Sequence, residues 1–222
     1  MSLSALDVGS AGVPSAASTG RARERTVWNI CIVLCLFLPF DLLATSYEDG
    51  QAAFQRRDYA TAHGIWQELA STGHINAQHD LAQMYFNGHG VSQDDELALI
   101  WFGRAADQGH LHALYMLASM YRDGKGVPPD SNHAAALFRE AADRGFAPAQ
   151  YSIGLMSFEG EGVSKDGIEA LKWLILAAAN LSADGFDLAT TVQFLREEIV
   201  STLGPDQKAE AEHRARVWTP RN

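Results

Sequence analysis

Apolar and small residues recur along this chain at helical spacing, and the helical pattern itself recurs every 36 residues, with Ala77 falling on Ala113 and Ala149. Met84 likewise falls on Met120 and Met156, and Ala98 on Ala134 and Ala170. A fixed period in this range marks a stack of helical repeats. Within each copy, Ala77, Leu81, Met84 and Tyr85 share one apolar face of a first helix. That helix ends at Asn87-Gly88, where glycine accepts a left-handed conformation most easily. A Gly-x-Gly-Val connection follows, and Asp94 or Ser92 is placed to cap a second helix. The second helix carries Ala98, Trp101, Phe102, Ala105 and Ala106 and stops at Gly109. Alanines beside large aromatics suit two helices in close approach.

The pattern predicts three such copies over 74–181. The pairs Gly88 and Gly90, Gly124 and Gly126, and Gly160 and Gly162 are expected at positive φ, as structural loop residues. In the third copy, Asp166 and Glu169 have the spacing of a capping box. A shorter first unit is expected over 47–73, with Arg56-Arg57-Asp58 as its turn. Residues 182–222 read as a helical cap, because an array needs an atypical last unit to cover its terminal apolar face. Phe186, Leu188, Val192, Leu195, Ile199 and Leu203 are the expected cover, followed by a break at Gly204-Pro205 and a last helix.

Ahead of the array, residues 1–20 are rich in Ser, Ala and Gly and read as disordered. Arg21, Arg23 and Arg25 then precede an apolar stretch centred on 30–40, with small Ala44 and Ser46 beyond it. This layout over 21–46 is that of a secretory signal peptide. Its core is shorter than the roughly 20 residues a bilayer requires. Export, to the periplasm, is the expectation. The alternative is an uncleaved anchor, which would make this segment the only membrane attachment and the array a tethered structural stalk.

The formal net charge of −10 argues against a nucleic-acid partner. Both cysteines, Cys31 and Cys35, lie in the apolar stretch, so the array has neither a disulfide framework nor a thiol nucleophile. No G-x-S-x-G motif occurs. His74 and His110 are repeat-equivalent, with His79 and His112 nearby. A zinc site needs three or four converging ligands. Ordinary surface histidines are therefore expected, with no metal and no cofactor. Gly88-x-Gly90 lacks the strand before it and the Lys-Ser/Thr after it that a phosphate loop requires. No catalytic residue is assigned, and a cell-wall or β-lactam hydrolase is only a remote alternative.

The run Leu81-Ala82-x-Met84-Tyr85-x-x-Gly88-x-Gly90-Val91-x-x-Asp94-x-x-x-Ala98-x-x-Trp101-Phe102-x-x-Ala105-Ala106-x-x-Gly109 resembles the Sel-one-like repeat, a relative of the tetratricopeptide repeat with a longer inter-helix loop. The turn Asp58-Tyr59-x-x-Ala62 looks closer to a plain tetratricopeptide unit, and Gly204-Pro205-x-Gln207-x-x-Glu210-Ala211 with Trp218 resembles the tails of bacterial secreted members. The resemblance implies an all-α solenoid acting as a non-enzymatic adaptor or regulator through protein–protein contacts. A cysteine-rich branch of the family is linked with β-lactam binding, but its paired cysteines are missing here. The resemblance also implies that the first helix of each pair lines the concave face. His79, Gln83 and Phe86 then form the expected partner surface in the first copy, Tyr115, Ser119 and Arg122 in the second, and Tyr151, Leu155 and Phe158 in the third. These positions vary while the core repeats, as expected for a surface that recognises a protein or peptide.

Overall fold

The computed structural model describes residues 46–181 and 186–221, all within one compact unit. The stretch 1–20, expected to be disordered, and the expected signal segment up to residue 45 lie outside the described residues; Ser46, its last residue, caps the first helix. The chain is an all-α solenoid. Its helices are α1 (Tyr47–Gln55), α2 (Tyr59–Ser71), α3 (Ile75–Asn87), α4 (Asp95–Asp107), α5 (Leu111–Asp123), α6 (Ser131–Asp143), α7 (Ala147–Glu159), α8 (Gly167–Asn180), α9 (Phe186–Thr202) and α10 (Pro205–Val217). Each helix from α1 to α8 packs against the next in sequence, and both α9 and α10 pack on α8.

The helix ends follow from the repeated residues. Asp58, Asp94, Asp130 and Asp166 each cap a second helix, their carboxylates accepting hydrogen bonds from first-turn amides. His74 and His110 cap α3 and α5 in the same way, each Nδ1 accepting from the amide of Ala77 or Ala113. These two histidines are therefore structural caps rather than ordinary surface residues. The capping box expected at Asp166 is only half made. Asp166 accepts from the Ile168 and Glu169 amides, but the Glu169 carboxylate turns away to Arg139, Lys172 and the indole of Trp173.

The glycine pairs do two different things. Gly88, Gly124 and Gly160 end the first helices in the left-handed conformation, with φ of 69°, 69° and 81°. The second glycine of each pair also lets the loop settle onto the preceding unit. A Cβ on Gly126 would stand 2.4 Å from the carbonyl oxygen of Asp95, and one on Gly90 would collide with Tyr59.

The core is a column of equivalent positions. Trp66, Phe102, Phe138 and Leu174 fill volume along the second helices, beside the fully enclosed Ala62, Ala98, Ala134 and Ala170. At the end of the array Val192, Leu195 and Ile199 of α9 cover Leu171, Leu174 and Ala177 of α8, with Leu188 and Leu203 partly buried around them. The side chain of Phe186 lies outside the described set. The last helix contributes cover too. Ala211 and Ala215 are buried, Trp218 meets Trp173 edge-on at 6.3 Å, and Arg221 pairs with Asp143 at 3.0 Å. The tail thus returns to the end of α6, and Arg214 approaches Glu169.

Candidate protein-binding groove

The first helix of each unit supplies one rung of the candidate surface. Only two residues separate Gln55 from the cap Asp58, against six between Asn87 and Asp94, so the first loop is four residues shorter. Subtracting four from the 36-residue step aligns Tyr47, Gln51 and Phe54 of α1 with His79, Gln83 and Phe86 of α3. The face therefore has four rungs: Tyr47, His79, Tyr115 and Tyr151 in one row, and Phe54, Phe86, Arg122 and Phe158 in another. Between them run Gln51, Gln83, Ser119 and Leu155.

At the first two rungs the structure forms a concave pocket of about 310 Å³. Its lining brings His79 and Gln83 together with Asp80, Asn87 and His89, and with Gln51, Phe54, Gln55 and Trp66 of the first unit. A polar chain runs along one side. The Tyr47 hydroxyl donates to Asp80 Oδ2 at 2.5 Å, and His79 Nδ1 lies 2.8 Å from Asp80 Oδ1. A carboxylate only accepts, so His79 Nδ1 carries the proton. His79 Nε2 then accepts from His112 Nδ1 at 2.8 Å. His110 stacks on His79 at 4.5 Å. Burial, then the hydrogen bond to Asp80 and its charge, push the Tyr47 phenol far above its ordinary value. Burial pulls His110 and His112 below the usual histidine value, and the neighbouring His79 adds to this while Asp80 opposes it.

The other expected residues form a second group further along. Burial pushes the Tyr151 phenol up, reinforced by Glu159 and Tyr115 and opposed by Arg122. The hydrogen bond that Arg122 donates to the Asp123 carboxylate raises the guanidinium's value against the effect of its burial, and the charges of Asp123, Tyr115 and Glu161 add to it. The Ser119 hydroxyl donates along its own helix to the Tyr115 carbonyl at 3.1 Å. Leu155 packs with Tyr151 and Phe158 beside the α8 core. Lys125 stands over the Phe86 ring at 4.4 Å, and Lys165 over Phe158 at 5.3 Å. All nine residues are half-buried rather than free-standing. They are rooted in the core at one edge and open at the other, which limits the side-chain freedom a partner would have to freeze.

Among the described residues, no three His, Cys, Asp or Glu side chains converge in a way that would hold a metal ion. None of the described helices is long and apolar enough to cross a membrane.

Fold and groove together define an α-solenoid of the tetratricopeptide-like class. Within that class the chain carries three Sel1 repeats: the family model described as the Sel1 repeat matches residues 75–110, 111–146 and 147–180. A Sel1 repeat protein from Oxalobacter formigenes superposes with a TM-score of 0.59 at 26% identity, over 65% of this chain and 59% of that one. This chain therefore corresponds to under two thirds of that relative's length. A protective antigen of uropathogenic Escherichia coli with this fold aligns at 23% identity and a TM-score of 0.46, over 78% of this chain and 44% of its own. Cysteine-rich protein B of Helicobacter pylori aligns at 19% identity and a TM-score of 0.43, over 65% of this chain and 97% of its own. No curated protein matches the chain significantly. Sel1-repeat proteins are generally non-enzymatic scaffolds that bind protein partners.

Proposed function

We propose that this chain is an exported adaptor or regulator that holds a segment of a partner protein along its concave face and performs no chemistry of its own. One observation carries the reading. The buried alanines and methionines, such as Ala77, Ala113 and Ala149 or Met84, Met120 and Met156, recur unchanged, whereas along the candidate face His79 stands where other units have tyrosine, Arg122 where others have phenylalanine, and Ser119 and Leu155 where the first two rungs have glutamine. A scaffold selected only for rigidity has no need of that variation. One selected for recognition does. The layout of 21–46 supports export, and a periplasmic site of action goes with it.

The reading is tested by measuring the affinity of a captured partner for Phe86→Ala and Tyr115→Ala proteins of unchanged helicity. A loss of tenfold or more at either position is expected, since aromatic anchors dominate such interfaces. Unchanged affinity in both would contradict the groove assignment.

A further inference from the structure

We infer that the pocket at the first two rungs receives a basic side chain, preferentially an arginine, from the bound segment. This rests on the groove reading above and adds to it the chemistry of one residue of the partner. Phe54, Trp66 and His89 contribute rings to the lining, and Tyr59 backs His89 from outside it. Phe54 lies 5.4 Å from Trp66 and 5.6 Å from His89, and Tyr59 stacks on His89 at 5.3 Å with an angle of 8°. The lining also includes the carboxylate of Asp80. Its two oxygens each accept one internal hydrogen bond, from Tyr47 and His79, which leaves each a further acceptor position. No lysine or arginine lines the pocket.

Three kinds of side chain can be weighed for this space. An aliphatic one would strip water from Asp80 and from the amides of Gln51, Gln55, Gln83 and Asn87 without replacing its hydrogen bonds. An acidic one would face Asp80. A guanidinium can lay its plane on the rings and present its edge to the carboxylate, which a point-like ammonium does less well. The side-chain amides around it offer both donors and acceptors, which suits the backbone of an extended segment carrying that arginine. The net charge of −10 favours the approach of a basic segment over long range.

The test titrates two peptides into the purified, isotopically labelled full chain at pH 7.5, followed by NMR. One is acetyl-Ala-Ala-Arg-Ala-Ala-amide. The other carries citrulline, a neutral isostere, in place of arginine. Saturable shifts of the Trp66 indole N–H and the α1 and α3 amides are expected with the arginine peptide. Affinity at least tenfold weaker is expected for the citrulline peptide, and for the arginine peptide with Asp80→Asn. The citrulline comparison uses unaltered protein, so it stands even if the substitution disturbs folding. Equal affinity for the two peptides, or no saturable shift with arginine, would overturn the inference. If a partner can still be captured through Tyr115 or Tyr151 in that event, the pocket assignment falls and the scaffold reading stands.

Discussion

Gln150, fully buried, donates from Nε2 to the carbonyl oxygen of Ala142 at 3.1 Å and accepts at Oε1 from Asn180 at 3.0 Å. Gln78 does the same at the first junction, reaching Ala70 at 3.1 Å and accepting from Gln108 at 2.6 Å. A first helix thus stitches itself to the end of the previous second helix and, through the same amide, to its own partner. At the middle junction Leu114 takes the glutamine's place, and Arg144 instead reaches the Gly109 carbonyl at 2.8 Å. Filling the space and bonding across it are separable contributions.

Replacing Gln150 by Ala removes both and should cost about 2 kcal/mol. Gln150→Leu should cost less, because the equivalent space already accepts Leu114 and the exposed Asn180 can return to water. Urea unfolding of the two variants reads the difference. Equal losses would show that hydrogen bonding alone holds the junction.

Gly126→Ala should destabilise the array by about 2 kcal/mol or more, through left-handed strain plus collision with the Asp95 carbonyl. Gly73→Ala is the control. Its φ is +94°, but nothing lies within 4 Å of the added carbon, so only the strain applies. Unfolding midpoints that fall equally would deny the role of the second loop glycine in seating one unit on the next.

His110 and His112 make stability depend on pH in a direction set by their depressed folded-state values. A histidine harder to protonate when folded contributes stability that is fully present above its ordinary value of 6.5 and is lost as pH falls through the lowered one. The chain should therefore be less stable in urea at pH 5.0 than at pH 7.5. Glu169 contributes little to this comparison, because its carboxyl is lowered from the ordinary 4.5 and its effect falls away chiefly below pH 5; burial raises it, but Lys172 and Arg139 outweigh that and hold it low. His112→Gln should shrink the difference. A difference left intact by that variant would place its origin elsewhere.

The repeats themselves were legible because the 36-residue step superposes alanines, glycines and cap aspartates on one another. The first rung of the groove was not. The same step, applied to a unit whose loop is four residues shorter, moves Tyr47, Gln51 and Phe54 out of register with His79, Gln83 and Phe86. Aligning the ends of the helices instead of counting residues recovers them. The burial of Gln78 and Gln150 is not legible in the pattern, because a polar side chain at helical spacing reads as solvent-facing unless its partner is seen, and here that partner is a backbone carbonyl at a helix end. His74 and His110 read as surface residues because their partners are backbone amides of the following helical turn. The contribution of α10 was obscured by its small contact residues, Ala211 and Ala215, and by a return to Asp143 that no local pattern encodes.

The central claim, that the varied concave face receives a partner, is tested most directly by photocrosslinking in the native cell envelope. A photoreactive residue would replace Tyr115 or Tyr151, with one at Glu212 of α10 as the control, and the products would be identified by mass spectrometry. The account predicts one protein enriched from both groove positions and absent from the control. Crosslinks at background level from both groove positions, or the same products from all three, would contradict it.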